Sequence, residues 1–530
     1  MSTNTSSSVT VDRRHRRDAA SPSNATTEIG LKTSLALLFT IACGFVLIGG
    51  MSLDPSDIEA RLSLSAYEPF GPFAQVLGGF DTEIAPGSAW LTKLWSWLEG
   101  GAPSASAVRW PSCLAALGIA LILKNRVGSR FGHRAGIFAF LACCGSIALI
   151  DHSSLTGLDY PLGLALIAAI DRILTRGTGW ASGLFCAVAM FFGGWPALAS
   201  ILLPLIVIGR REASPSIKLL LPSLLVFAAW SAWALLTVRT EVWAATLTLP
   251  FTRSVQISMG LWAVAIALPW APLALTTAFP STRSEWTPDG RKLVVEWAKI
   301  AFVGLVAGTI LPGLTASGTI LGFAGLIVVS SVAMDAAWSN HLKGGALALV
   351  VVAATLIGAV IGARAVFSGA YIAFGQPYYR AVGIILIGLG TVLAILALDA
   401  AWTRSARMAM RVLILVAVIA KVTYTGYFVP ETNYRFSKGP WGRAVGQFVP
   451  PGSQIYTFLS ISPALALATE HPMRQLRAEV MLEGQGEGPK YVLVGESEFD
   501  HWPDAAPKIH KIRAFRDEYG GTRVLAKTFQ

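Results

Sequence analysis

The sequence predicts an all-α polytopic membrane protein with about 13 transmembrane helices, followed by a small C-terminal α/β soluble domain. Of the 530 residues, 53% are hydrophobic and only 14% are charged, whereas charged residues make up about 25% of ordinary soluble domains. Apolar runs recur from residue 33 onward, and after residue 429 they give way to short strand-like segments separated by turns. These observations divide the chain into a tail at 1–32, a membrane domain at 33–428 and a soluble domain at 429–530.

Residues 1–32 are rich in Ser and Thr, lack apolar periodicity and carry the basic run Arg13-Arg14-His15-Arg16-Arg17. This composition predicts a disordered cytoplasmic tail. No small-residue cleavage site precedes Asp54, so the first apolar run is expected to be a membrane span rather than a cleaved signal peptide. All five cysteines lie inside apolar segments, which favours small core residues over disulfides or a metal site.

Thirteen apolar runs are candidate membrane spans, and several are shorter than the ~20 residues that a perpendicular helix needs. The shorter runs are expected to be tilted helices. The candidates are Thr33–Met51, Val108–Ile122, Ala135–Ile150, Tyr160–Ile170, Trp180–Gly194, Pro196–Ile208, Leu219–Leu236, Ile257–Phe279, Val294–Leu311, Thr315–Met334, Gly344–Ala365, Ala381–Leu398 and Met408–Val422.

The distribution of Lys and Arg tests this arrangement, because cytoplasmic loops collect positive residues. With the N-terminus inside, the predicted inner segments hold 21 Lys and Arg, and the outer loops hold 5. The asymmetry predicts an integral membrane protein with a cytoplasmic N-terminus and an extracytoplasmic C-terminus. It also accounts for the net charge of +11, so nucleic acid is not expected as a partner.

The C-terminal segment has the pattern of a small α/β domain. Apolar runs at Gln454–Phe458, Tyr491–Val494 and Arg523–Ala526 predict buried strands, and Trp441–Phe448 predicts a helix before a Pro-Pro-Gly turn. About 100 residues are enough for such a domain to form its own core. With thirteen spans, it is predicted to lie on the same side as the first outward loop, residues 52–107.

Acidic residues converge on this predicted outer side. The first loop contributes Asp54, Asp57, Glu59, Asp81 and Glu83, and the second outer loop contributes Asp151 and Asp159. A Gly193-Gly194-Trp195-Pro196 break comes out on the same side, and broken spans at one depth are typical of membrane-embedded sites. We therefore predict a functional site at this face, although solvated loop acids are the simpler reading of any one of these residues.

Two features of the first loop can be read in more detail. Asp57 and Glu59 are two residues apart, so on a helix their side chains diverge by about 200° and only one is expected to face the site. The Trp-rich segment around Trp90 and Lys93 suits a helix lying in the membrane interface, where indole rings concentrate.

The order of motifs resembles a known family. It runs from the acids after the first span through Glu83-x-x-Pro86-x-x-x-Trp90-Leu91, Arg109-Trp-Pro-Ser112, Arg130-Phe-Gly-x-Arg-Ala-Gly136 and Asp159 to Gly194-x-Pro-Ala-Leu198. This order is similar to that of the membrane glycosyltransferases of the GT-C fold. Within them it most resembles the superfamily of protein O-mannosyltransferases and lipid A aminoarabinose transferases, over about residues 33 to 210.

The chain departs from the family pattern at charged positions. Aligning Glu59-Ala-Arg61 with the family's Glu-x-Arg places Ile58 where an Asp usually stands, which leaves Asp57 as the nearest substitute. Ile84 occupies the position of a Lys, and a second Lys is missing from the Gly193 break. Two cations that could bind a donor phosphate are therefore absent.

The resemblance implies an inverting glycosyltransferase of a bacterial inner (plasma) membrane. It would move a sugar from a polyprenyl-phosphate donor to a lipid, glycan or protein acceptor at the outer face, surrounded by membrane lipids. We expect Asp57 to be the general base, with Glu59 as the alternative, and we expect Glu83 and Asp159 to have supporting roles in shaping the acceptor or metal site. The leaving phosphate would be held by arginines or by a divalent cation, Mg²⁺ or Mn²⁺. The arginine candidates are Arg61, Arg239, Arg253, Arg364 and Arg380.

Two other functions stay open. A catalytically silent homologue that binds lipid or glycan would explain the missing Asp and Lys residues. A secondary transporter also has many spans and broken helices. The clustering of the acids at one face, rather than at mid-membrane, and the lack of evident internal repeats argue against a transporter.

Overall fold

The structure is a computed structural model, and it describes most of the helical bundle and nearly all of the C-terminal domain. The described residues are 34, 36–44, 57–65, 75–76, 79–80, 86–101, 104–146, 159–209, 216–237, 264, 266–283, 286–311, 314–339, 377–425, 430, 433, 437–458, 462–485 and 488–529.

Up to residue 423 the described chain is almost entirely helical. Two helices belong to the first loop, α1 (Asp57–Ser65) and α2 (Pro86–Leu98). The longer helices that follow are α3 (Ala105–Phe131), α4 (His133–Cys144), α5 (Asp159–Arg176), α6 (Trp180–Ile208), α7 (Ile217–Thr237), α8 (Pro288–Ile310), α9 (Thr315–Trp338), α10 (Pro377–Trp402) and α11 (Ala406–Thr423).

Four of these helices, α3, α6, α8 and α9, are long and apolar enough to cross a membrane. This finding supports the predicted membrane localisation and the predicted helical class. The count of 13 stays a prediction, because the span Gly344–Ala365 and part of Ile257–Phe279 lie outside the described residues. The predicted runs Trp180–Gly194 and Pro196–Ile208 form the single helix α6.

Small residues let the helices of the bundle approach closely. Helices α8 and α9 meet at Gly304 and Gly318, where an added Cβ would lie 2.6 Å and 2.7 Å from backbone atoms of the other helix. Close contact through small residues is the usual packing of membrane helices, since lipid supplies no hydrophobic force between them. Large side chains such as Phe138 and Trp297 fill the remaining core and are fully buried.

The motif Arg130 to Gly136 forms the tight turn between α3 and α4. Gly132 has a φ of 94°, in the region that favours glycine, and it separates the two helices. Two ion pairs fix this end of the hairpin, from Arg130 Nη1 to Asp289 at 2.6 Å and from Arg134 Nε to Asp335 at 2.5 Å. This part of the family motif therefore holds the bundle together at the end opposite α1.

Gly136 and Gly128 face each other across this hairpin and give a paired test. A Cβ at Gly136 would lie 2.6 Å from the carbonyl oxygen of Lys124, whereas a Cβ at Gly128 would meet its nearest atom at 3.7 Å. We expect Gly136→Ala to lower the free energy of unfolding in detergent by about 1–3 kcal/mol, as overpacking does. Gly128→Ala is the control and should be neutral or slightly stabilising; equal stability of the two variants would contradict this packing.

Helix α6 is broken at Gly194. This residue has φ 65° and ψ −163°, a backbone conformation outside the helical region, and Pro196 follows it. The break lies beside the first loop, since a Cβ added to Gly87 of α2 would come within 2.9 Å of Phe191. The predicted Gly/Pro break is therefore confirmed, as is its position next to the loop that carries the acids.

The C-terminal domain is a five-stranded mixed sheet with three short helices in its described part, α12 (Gly439–Gly446), α13 (Pro463–Thr469) and α14 (Glu496–Asp500). Its strands are β1 (Ile455–Thr457), β2 (Met473–Gln475), β3 (Tyr491–Gly495), β4 (Ile509–Arg516) and β5 (Thr522–Thr528), in the spatial order β2-β1-β3-β5-β4. Strand β1 is parallel to both of its neighbours, and β5 is antiparallel to both of its neighbours. The predicted α/β domain is confirmed, with all three predicted strands and two strands that the apolar pattern did not reveal.

Candidate site at the junction of two domains

Helix α1 lies between the helical bundle and the C-terminal domain. Ala60 and Ser63 are fully buried, and the Ser63 hydroxyl donates to the carbonyl oxygen of Ser104 at 2.8 Å, just before α3. Leu64 packs instead against the apolar core of the C-terminal domain. Helix α1 therefore contacts both the helical bundle and the C-terminal domain.

On the bundle side, Glu59 pairs with Arg109 of α3. Nε of Arg109 donates to one carboxylate oxygen of Glu59 at 2.8 Å, and Nη2 donates to the other at 3.2 Å. Both side chains are 7% exposed. A carboxylate in such surroundings is costly unless it is paired, and the planar guanidinium satisfies both oxygens at once. The pair therefore fixes α1 to the beginning of α3.

On the opposite side, Asp57 contacts the C-terminal domain. Its Oδ1 accepts hydrogen bonds from the Ser462 hydroxyl at 2.5 Å and from the Ala464 backbone N–H at 3.3 Å, and it lies 3.5 Å from Nζ of Lys438. Among the described residues, none donates to its Oδ2, and 48% of the side chain is exposed. The predicted divergence of Asp57 and Glu59 is confirmed, since the two carboxylates contact different domains.

The surroundings of Asp57 lower the pKa of its carboxyl group. Burial raises this pKa, but the hydrogen bond from Ser462, the positive charge of Lys438 and the amide of Ala464 together outweigh that effect. Asp57 is therefore ionised at neutral pH. The stabilisation from its contacts is present above the ordinary pKa of an aspartate and is lost as the pH falls through the lowered value.

Helix α2 has the polarity expected of an interfacial helix. Its small polar residues Ser88, Thr92 and Ser96 are buried at helical spacing, whereas Trp90 and Trp97 are exposed. The buried face packs on neighbouring elements, and the exposed face is aromatic and aliphatic. This arrangement agrees with the prediction that the Trp-rich segment lies in the plane of the interface.

The remaining predicted site residues are not located by their side chains. Glu83 and the loop acids Asp54, Asp81 and Asp151 lie outside the described residues, and Asp159 begins α5 but its side chain also lies outside them. Arg61 lies in α1 and Arg380 in α10, but their side chains lie outside the described residues. Arg239, Arg253 and Arg364 lie outside them altogether. Their proposed roles stay predictions.

The structure adds four residues that the sequence did not single out as site residues. Arg109 was visible only as part of a motif, and Lys438 and Ser462 come from a different domain. Lys421 is 4% exposed and lies in the last turn of α11. A lysine inside an apolar span is a signal that could have been used, because such residues are retained mainly for function.

Metal binding is not tested by the described geometry. Within the part of the chain that the structure describes, no group of three His, Cys, Asp or Glu side chains could hold a metal ion. Two of the acids predicted to shape a metal or acceptor site, Glu83 and Asp159, are not among the side chains searched. The expectation of a divalent cation therefore stays a prediction.

Comparison with solved structures identifies the fold. ArnT from Cupriavidus metallidurans in the apo state aligns with 95% of this chain and 98% of its own, with 16% sequence identity and a TM-score of 0.66. The same protein bound to undecaprenyl phosphate aligns with equal identity and coverage and a TM-score of 0.65. No protein-family model and no curated protein matches the sequence. The likeness shows that the chain has the fold of ArnT, which confirms the predicted GT-C fold.

Proposed function

We propose that the protein is an inverting glycosyltransferase that moves a sugar from a polyprenyl-phosphate donor to a hydroxyl of a lipid, glycan or protein acceptor. The observation that carries the proposal is the likeness, over nearly the whole of both chains, to an ArnT structure with undecaprenyl phosphate bound. A second support is the position of α1, which presents an ionised carboxylate where the first loop meets the C-terminal domain.

Asp57 is the base that we propose for the acceptor hydroxyl. Its Oδ1 is held by the C-terminal domain, and the side chain is half-exposed, which leaves Oδ2 to accept a proton. Glu59 is the alternative base, but both of its oxygens accept hydrogen bonds from Arg109, which suits a residue that fixes α1. Glu83 and Asp159 retain their proposed roles in shaping the acceptor or metal site.

The proposed transfer is a single displacement. As the acceptor oxygen forms its bond to the anomeric carbon, its proton passes to the carboxylate of Asp57. The bond from the anomeric carbon to the phosphate oxygen breaks, and its electron pair leaves with the lipid phosphate. Attack from the face opposite the leaving group inverts the anomeric configuration. The carboxyl group later releases its proton to solvent.

Negative charge develops on the lipid phosphate as it leaves, so cations positioned near it would accelerate the reaction. The proposed arginines are Arg61, Arg239, Arg253, Arg364 and Arg380, with Mg²⁺ or Mn²⁺ as the alternative. Lys421 joins these candidates because it is a buried lysine in an apolar helix, and such residues are retained mainly for function. We place this site at the outer face of the membrane because of the distribution of Lys and Arg. A bacterial inner membrane is what the resemblance to the aminoarabinose transferases implies.

A catalytically silent homologue is the second candidate, and one observation favours it. Asp57 directs one oxygen into a set of contacts with Ser462, Ala464 and Lys438, and Ile58 occupies the position of the family's Asp. An aspartate used only to join two domains would have the same contacts.

One experiment separates the two candidates. We expect the full chain in lipid nanodiscs to bind undecaprenyl phosphate, measured by native mass spectrometry. We also expect it to release this lipid from labelled undecaprenyl-phosphate sugars when membrane extracts supply acceptors. Binding without release from any sugar tested would favour the silent homologue. Neither binding nor release would contradict both candidates.

A further inference from the structure

The contacts of Asp57 reach across the domain boundary. Each described group that donates to its Oδ1, or pairs with it, belongs to the C-terminal domain. The bundle, in contrast, holds the same helix through Glu59 and Ser63. The position of the Asp57 carboxylate therefore depends on two domains at once.

Lys438 and Ser462 form a chain of hydrogen bonds that ends at Asp57. Nζ of Lys438 donates to the Ser462 hydroxyl at 2.7 Å, and this hydroxyl donates in turn to Oδ1 of Asp57 at 2.5 Å. The serine hydroxyl thus uses both an acceptor and its single donor, which fixes the direction of its proton toward Asp57. A hydroxyl oriented in this way leaves Oδ1 little freedom to exchange places with Oδ2.

Lys438 is itself held on the side away from α1. Its Nζ lies 3.8 Å from Glu518, a carboxylate whose side chain is 7% exposed and which also accepts from the Trp441 indole at 3.0 Å. The ammonium group thus donates to Ser462 and lies within ion-pair distance of two carboxylates, those of Asp57 and Glu518. Such a lysine is poorly suited to bind a donor phosphate, but it is well suited to hold Asp57 in place.

We propose that Lys438 and Ser462 are positioning residues of the transfer site, which hold Oδ1 of Asp57 so that Oδ2 faces the acceptor hydroxyl. The site is then assembled from the bundle and the C-terminal domain together. This inference rests on the proposed function. Misplacing a reacting group by about 1 Å can cost about 10²-fold in rate, so even a small shift of α1 would be measurable.

A contact that only docks the C-terminal domain onto α1 would leave the pH dependence of transfer unchanged. This pH dependence therefore distinguishes docking from positioning. The charged groups on elements that pack against α1 include Arg109 on α3, Lys93 on α2, and Lys438 and Glu518 in the C-terminal domain. Among described residues, Lys438 is the one whose charge shifts the pKa of Asp57, and Ser462 lowers it through a hydrogen bond. Removing either group should raise that pKa and move the acidic limb of the rate profile to higher pH.

The test uses Ser462→Ala and Lys438→Met in the full chain, with Lys438→Arg as the variant that keeps the charge. The matched controls are Ser497→Ala and Lys511→Met, which change the same residue types in the same domain away from α1. Hydrogen exchange of the α1 amides is measured without substrate, and kcat, KM and the pH profile are measured with a labelled undecaprenyl-phosphate sugar.

We expect Ser462→Ala and Lys438→Met to speed exchange in α1 and to lower kcat by about ten- to a hundredfold, with little change in the KM for donor. The acidic limb should move to higher pH, Lys438→Arg should recover much of the rate, and the controls should match the parent. Faster exchange with an unmoved pH profile would reduce the contact to docking and overturn the proposal. So would exchange equal to that of the parent. If the parent protein transfers no sugar, the proposed function is contradicted. Hydrogen exchange in α1 that is the same in the variants and the parent would separately contradict the positioning role of Lys438 and Ser462.

Discussion

Asp57→Asn is expected to lower the rate of sugar transfer by about 10²–10⁴-fold, the usual loss when a general base is removed. The amide keeps the shape of the carboxylate, and its oxygen can still accept from Ser462 and the Ala464 amide. It loses the negative charge that takes up the proton. Because the contacts with the C-terminal domain largely survive, the variant should fold and bind undecaprenyl phosphate as the parent does.

Glu59→Gln is the comparison that decides between the two carboxylates. The amide oxygen can still accept from Arg109, but the guanidinium loses its buried countercharge. We expect this variant to lose stability first and to retain more transfer activity per folded molecule than Asp57→Asn. The measurement is the initial rate on a labelled undecaprenyl-phosphate sugar, divided by the folded fraction. If Glu59→Gln is the slower variant, Glu59 is the base. If both variants transfer sugar at the parent rate, neither Asp57 nor Glu59 is the base.

Much of the fold could be predicted because it follows from local apolar patterns. The strands at Ile455–Thr457, Tyr491–Gly495 and Thr522–Thr528 are buried, so their Val, Leu and Ile residues mark them in the sequence. The edge strand Ile509–Arg516 was not predicted because most of its side chains are exposed and several are cationic. Charged side chains on an edge strand prevent unwanted pairing, and they also remove the apolar signal on which the prediction depends.

The site could be predicted only in part. Spacing alone indicated that Asp57 and Glu59 point in different directions, and this holds in the structure. It could not indicate which domain each would contact, because Asp57 meets Ser462 across 405 positions of sequence. Arg109 stood in a quoted motif, but nothing local identifies its partner, which lies 50 residues earlier in a different helix. Such pairings depend on tertiary structure.

The arrangement of α1 gives a physical reason why the acid stands at position 57 while Ile58 occupies the next position. A helix that places Glu59 against the bundle turns position 57 toward the C-terminal domain, so an acid there can use contacts that the domain supplies. The lowered pKa of Asp57 follows from those contacts and keeps the carboxylate ionised. In this chain, therefore, the second domain is part of the chemistry that we propose, because its groups hold one oxygen of the proposed base and lower the pKa of its carboxyl group.

Arg109→Met is expected to lower the free energy of unfolding by about 3–5 kcal/mol, because it leaves the buried carboxylate of Glu59 without its countercharge. The double variant Arg109→Met, Glu59→Leu should recover most of this loss, since an apolar pair of similar volume avoids the cost of burying charge. The control is Arg130→Met on the same helix. Its pair with Asp289 is largely exposed, so the loss should be at most about 1 kcal/mol.

Unfolding of the purified variants in detergent, followed by circular dichroism, provides the measurement. Equal losses for Arg109→Met and Arg130→Met would show that the pair of Glu59 and Arg109 is no better shielded from solvent than a surface pair. The double variant also separates stability from catalysis. If it transfers sugar at the parent rate, the pair serves the fold alone and Glu59 is excluded as the base. If it is stable but transfers no sugar, the rate of Glu59→Gln decides the cause: a fast Glu59→Gln variant would mean that the ion pair orients α1, and a slow one that Glu59 is the base.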